Sequence, residues 1–236
     1  MGKKLKEIIT SPTATKRMGD FICNFVAVVL GIIITFVGSD MIEEHNKKKE
    51  VTQALQLVKS ELLINKEIIG EMMEMEVSNK KGARYLLQFK DKMDEASADS
   101  LEYYGYLPFQ SRDFLPVTDA IEMLRASSLM QNISNKELVV QIIEAYATIK
   151  SSHLFYEGYS ETKDNVIEKF STRQDFQKFT NENNTLKETW NFIFHLTEGY
   201  AAIRQIAQIH DDPYITYNYH LKLIDETIAA IDKEYN

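Results

Sequence analysis

Two places in this chain bring side chains capable of chemistry close together. His195 and Glu198 are three residues apart, one helical turn, and could share a metal ion or a proton. His210, Asp211 and Asp212 stand in a row. Helical di-metal carboxylate sites use paired Glu-x-x-His motifs on two helices. This chain has only the reversed spacing, at His195. A helix-surface contact accounts for His195 with Glu198, and His210 suits the negative end of a helix dipole. No metal site and no cofactor is therefore expected. The sequence holds no Gly-rich phosphate loop, nucleophile elbow or HExxH motif. Its one cysteine, Cys23, falls inside an apolar run, which leaves no thiol nucleophile and no intrachain disulfide. A site built from His195, Glu198 and Tyr200 is the enzymatic alternative, and the expectation is a protein that is not an enzyme.

Charge narrows the partners. Residues 1–20 carry five basic side chains, Lys3, Lys4, Lys6, Lys16 and Arg17, against Glu7 and Asp20. The whole chain nevertheless has a net charge of −8. An acidic domain repels phosphate backbones, so nucleic acid is not an expected partner.

The basic segment precedes Phe21–Val37, FICNFVAVVLGIIITFV, whose apolar character continues to Ser39. At ~1.5 Å per residue, a helix of this length covers nearly 30 Å, about the hydrocarbon thickness of a bilayer. No convincing small-x-small cleavage site follows Thr35, and polar residues do not recur as they would in a buried core helix. A single transmembrane span, Phe21 to Ser39, is expected. The five cations before it, against Lys47, Lys48 and Lys49 after it, favour an N-terminus inside. The organisation is then a basic cytoplasmic segment 1–20, a span 21–39 and a helical soluble domain 40–236.

The rest reads as all-α. Few glycines and prolines interrupt it, and no segment sustains a period of two. From Val51 the apolar positions step by four and three through Leu55, Val58, Leu62, Asn65, Ile69 and Met72. This is a heptad seam with Asn65 at a core position, where a buried amide can set register and oligomer state in a coiled coil. Leu57, Leu63, Ile64, Ile68 and Met73 widen the face beyond a two-stranded seam, which favours packing inside an antiparallel bundle. A helix running on from the span past Asp40 is expected to carry this stripe, with a second at Asn79–Asp94. Residues 95–117 break the pattern and read as a long loop containing Tyr103, Tyr104 and Tyr106. These tyrosines are a candidate recognition surface, or they pin the loop to the bundle. Thr118–Leu129 reads as helical. Ser134 with Glu137, and Thr185 with Glu188, read as capping boxes. They open helices that extend to about Phe170 and through Leu186–Ile206, with a short helix at Thr172–Phe179 between. Asp212-Pro213 starts the last helix, which steps through Tyr217, Leu221, Ile224, Ile228, Ile231 and Tyr235.

Two stretches together carry a resemblance. One is the basic segment and span ending VVLGIIITFVGSDMIEEHNKKKE, followed by LVKSELLINKEII. The other is AIEMLRASSLMQNISNKELVVQIIEAYATI, residues 120–149. The pair, over about residues 16–70 and 118–150, resembles a bacterial family of small single-pass membrane-anchored proteins with a helical domain of unknown function. Ser39–Glu44 stands where that family shows an Asn-Trp-Asn-Glu-like tetrapeptide. The resemblance implies a bacterial inner-membrane location with the C-terminal domain periplasmic or extracellular. It implies no activity.

The functional expectation is an envelope protein whose helical domain binds another protein or itself, with Asn65, Tyr103, Tyr104 and Tyr106 as interaction residues. The alternative is an extracytoplasmic sensor of a small ligand acting through a separate transducer.

Overall fold

The computed structural model describes residues 12–180, 183–210 and 212–235, except for the side chains of 12–26, 29 and 32–42. Among the described residues every regular element is helical. The chain divides into two units, Met1–Gln53 and Ala54–Asn236. Helix α1, Pro12–Gln88, contributes to both.

In the first unit, Val28 and Leu30 are exposed apolar side chains. Among the described residues no helix is long and apolar enough to cross a membrane. The structure therefore gives the expected span no support. Most side chains of that span, Cys23 among them, lie outside the described residues.

The second unit is built on three long helices: α1 from Ala54 onward, α5 (Lys136–Ser171) and α9 (Pro213–Tyr235). Their directions follow from side-chain pairs. Lys59 meets Asp232 at 2.5 Å, Lys66 meets Asp225 at 2.6 Å, and the Tyr217 hydroxyl lies 3.4 Å from Glu76. Numbers rising on one helix fall on the other, so α9 runs antiparallel to α1. Ser152 beside His220 and Thr227 beside Gln141 make α9 antiparallel to α5 as well. Tyr146 donates to Glu61, which joins α5 to α1. Being antiparallel to the same helix, α1 and α5 run parallel. Among the three long helices the expected antiparallel arrangement thus holds only for α9, because residues 89–135 carry the chain back before α5 begins.

Each long helix buries a seam spaced by fours and threes. On α1 it is Leu55, Val58, Leu62, Asn65, Ile69, Met72, Glu76, Asn79, Ala83 and Leu86. On α5 it runs from Leu138 and Ile142 through Ser152 and Lys163 to Phe170. On α9 it is Tyr217, His220, Ile224, Thr227 and Ile231, while Leu221 and Ile228 are only half-buried. Leu57, Leu63 and Ile64 are exposed, so the buried face of α1 is narrower than their apolar character suggests.

The crossing segment holds α2 (Ala98–Gly105) and two single 3-10 turns, Met93–Glu95 and Leu107–Phe109. About half of the expected long loop is therefore helical, and 96–97, 106 and 110–118 are irregular. The expected second helix at Asn79–Asp94 is instead the end of α1. Then follow α3 (Asp119–Ala126), within the helix expected at Thr118–Leu129, and α4 (Leu129–Asn132), which begins at the last residue of that stretch. The cap of α5 is Asn135 rather than Ser134; its side chain accepts from the Leu138 N–H at 3.1 Å. The Thr185–Glu188 capping box is present as expected, and Asp212 accepts from the Tyr214 N–H ahead of α9. Between α5 and α9 lie α6 (Gln174–Thr180), α7 (Leu186–His195) and α8 (Thr197–Gln208). The expected continuous helix here breaks at Leu196. A Cβ on Gly199 would come within 2.3 Å of the Ile193 carbonyl oxygen, so the sharp corner between α7 and α8 needs glycine.

Gly82 lets the crossing segment approach α1 closely. A Cβ there would meet Leu107 Cβ at 2.6 Å, the Tyr104 carbonyl at 2.7 Å and Pro108 Cδ at 2.8 Å. Glycine inside a helix normally costs about 1 kcal/mol relative to alanine. Here the clash outweighs that gain. Gly82→Ala is expected to destabilise the protein by about 1–3 kcal/mol and to speed proteolysis within residues 98–109. Chemical unfolding and limited digestion check both, and a stabilised variant would contradict the contact.

Candidate functional site

The site is built from buried polar residues, most of them on the seams and some beside them. Three of them, on α1, hold one segment. Asn79 donates to the Gln110 carbonyl at 3.0 Å. Asn65 donates to the Val117 carbonyl at 2.7 Å and accepts from the Val117 N–H at 2.9 Å. Glu61 accepts from the Ala120 N–H at 2.7 Å, at the open end of α3, and also from the Tyr146 hydroxyl. The carboxylate thus does for α3 what an N-cap side chain would, from a different helix. From Asn79 back to Asn65 the helix rises about 21 Å. The seven steps from Gln110 to Val117 reach about 23 Å when extended. Residues 110–117 are therefore a nearly straight strap laid antiparallel along α1. Phe114 is buried edge-on against Tyr156 at 5.0 Å, and Arg112 reaches Glu71 at 2.9 Å.

Lys163 of α5 is fully buried and also donates to the Gln110 carbonyl. Burial lowers its pKa, and the neighbouring Asp164 offsets part of that effect. Below this, Glu76 pairs with Lys80 at 3.0 Å, both almost fully buried. Lys80 also donates to the His210 carbonyl. His210 has φ 50, unusual for a residue with a side chain. Its ring stacks on Phe155 at 3.9 Å, with Nδ1 3.3 Å from Glu76. Burial is the first cause, and the Glu76 charge the second, of the upward shift of the Tyr217 hydroxyl. Tyr156 is pushed up to about 12, again mainly by burial.

On the outside, α1 and α2 form a groove of about 540 Å³ lined by Val77, Lys81, Arg84, Tyr85, Gln88 and Tyr104. Tyr104 stacks on Tyr85 at 4.5 Å, and the Lys81 ammonium lies 5.4 Å from its ring centre. Tyr103 meets Tyr104 edge-on at 4.8 Å. Tyr103 is 61% and Tyr106 54% exposed. Of the expected interaction residues, then, Tyr103 and Tyr106 present free surface and Tyr104 forms a groove wall. Asn65 is 0% exposed and satisfied within its own chain, so it offers nothing to a second copy.

The residues proposed for chemistry are not brought together as a set. His195 and Tyr200 share a hollow of about 260 Å³ with Lys90. Glu198 instead pairs with Arg173 at 2.9 Å. His195 Nδ1 lies 2.6 Å from the Asn191 carbonyl. Asp212 caps α9, and Asp211 lies outside the described residues. Among the described residues no group of three or more His, Cys, Asp or Glu could hold a metal ion.

Sequence reading missed Glu61, Glu76, Asn79, Lys163 and His220 as core residues. For three of them a signal was present. Counting on from Met72 by four and three reaches Glu76 and Asn79, and the same count along α5 reaches Lys163, whereas on α9 the expected count passes through Leu221 and misses His220. No protein-family model, curated protein or solved structure matches this chain.

Two tests follow. Lys163→Met keeps the Asn79 bond to Gln110 and removes a buried amine. The variant is expected to match wild type or gain up to about 2 kcal/mol, as replaced buried charges often do; a loss of that size in denaturant melts would contradict this. His220 is held neutral by burial, beside Ser152 at 2.6 Å, with its pKa lowered. The unfolded chain then binds more protons than the folded one below the ordinary histidine value of about 6.5. Stability is full above that value and falls as pH drops through it toward the lower folded value. His220→Gln is expected to flatten the decline between about pH 7 and 5, which urea melts across that range would measure.

Proposed function

We propose that this chain is a membrane-anchored bacterial envelope protein, without catalytic activity of its own, whose helical domain binds a protein partner through the face formed by α2. The observation that carries the partner reading is the exposure of Tyr103 and Tyr106 on a rigidly held element. Exposed tyrosines on a fixed backbone supply contact area at low entropic cost, and tyrosine is enriched among interface anchors. The backbone is fixed from below by Gly82 against Leu107 and Pro108, and by the packing of Gly105 on the Trp190 indole. Alongside runs a groove large enough to take side chains of a partner.

The anchor reading rests on the apolar run Phe21–Val37 behind five basic residues. Exposed Val28 and Leu30 agree with it. The resemblance over residues 16–70 and 118–150 supports the same architecture. Orientation follows from the cation count, with the C-terminal domain outside the cytoplasm.

Photo-crosslinkers placed singly at Tyr103 and Tyr106 in native membranes are expected to give discrete protein adducts. The same group at exposed Tyr219 on α9 is expected to give none. Adducts at all three positions, or at none, would overturn the docking face. Carbonate washing separately tests the anchor: release of the chain into the soluble fraction would remove it.

A further inference from the structure

Resting on that reading, we infer that the groove beside α2 takes an acidic segment of the partner polypeptide, in which carboxylates flank an apolar or aromatic side chain.

The argument starts from unbalanced charge. The chain carries a net charge of −8, yet this groove presents Lys81 and Arg84. Among the described residues neither makes an ion pair, and there Lys81 makes its contact with the Tyr104 ring. Lys80, one position away, faces inward and is consumed by Glu76 and the His210 carbonyl. Lys81 and Arg84 are three residues apart on one helix, so their heads leave the same face about one turn apart. An arginine guanidinium recognises a carboxylate through two parallel hydrogen bonds. Between and beside the two cations lie Val77 and the stacked pair Tyr85–Tyr104, an apolar wall that suits a leucine or phenylalanine. Gln88 closes one end with an amide that can serve a backbone group.

The groove does not end there. A second hollow of about 240 Å³ shares Val77 and Arg84 and continues to Lys80, Asp212, Pro213 and Tyr214. Among the described residues lining this hollow Asp212 is the carboxylate, and its Oδ1 accepts from the Tyr214 N–H. A path shared by two hollows along one helix suits an extended chain better than a compact solute. Its central cations select against basic partners and favour acidic ones.

The test uses the full chain in detergent micelles. The probe is a fluorescein-labelled peptide alternating glutamate with leucine and phenylalanine, beside a glutamine-for-glutamate peptide of equal length. The acidic peptide is expected to bind saturably, more weakly as salt rises. Arg84→Gln and Lys81→Gln are each expected to weaken it about tenfold. Lys66→Gln, which alters a cation paired with Asp225, is expected to leave binding unchanged. Equal binding of the glutamine peptide, or no effect of Arg84→Gln in a variant with wild-type circular dichroism, would overturn the inference. So would displacement by free phenylpropionate at the concentration of the peptide, which would mark a small-carboxylate site. Self-association lost in Arg84→Gln without peptide binding would also overturn it, assigning the groove to a second copy. If the peptide fails while cross-linking at Tyr103 and Tyr106 persists, the docking face stands and only the acidic chemistry falls.

Discussion

Polar side chains at seam positions have to be satisfied inside the protein, and much of the second unit is arranged to do so. A buried amide or carboxylate left without partners costs several times what its hydrogen bond returns. Asn65, the amide N–H of Asn79 and, beside the seam, Glu61 meet this requirement by gripping the backbone of one segment. In doing so they convert residues 110–117 from a loop into a strap, and they give α3 its N-terminal acceptor. Side chains of α1 claim the backbone groups at its two ends, the Gln110 carbonyl and both groups of Val117.

The same logic links the interior to the groove. Lys80 turns inward to Glu76 and to the carbonyl of His210, where the chain bends into α9. That commitment separates it from Lys81 and Arg84, which remain at the surface. The groove's charge pattern is thus a by-product of helical periodicity: adjacent lysines face opposite duties because one helical step is about 100°. The docking reading depends on this division as much as on the tyrosines.

Much of the helical framework was legible. The seam from Leu55 to Met72, the Thr185–Glu188 box and the Asp212-Pro213 start are local signals with local causes. Seam polarity was legible too, but only by trusting the spacing over the residue type: the count of fours and threes continues through Glu76 and Asn79, where apolar character stops. What was not legible is non-local. Nothing near Gln110 or Val117 announces that their backbone groups pair with amides tens of residues away. The break at Leu196 depends on a backbone approach at Gly199 that periodicity does not register. The shift of the α5 cap from Ser134 to Asn135 is a one-residue choice between two good acceptors. Of the candidate surface, the tyrosines were visible as types. The groove was not, since Lys81, Arg84 and Tyr85 meet Tyr104 only after the crossing segment folds back on Gly82.

The strap has a further consequence. A segment pinned at both ends and drawn almost to its full reach has no slack. Its length is therefore set by the helix beneath it rather than by its own residues. Related chains should keep the same number of residues between the two anchoring amides' partners, while outward-facing places such as Leu115 change freely. A deletion there would have to unseat one end, whereas an insertion would raise a bulge over α1. In this protein the least regular segment is the one whose length evolution is least free to alter.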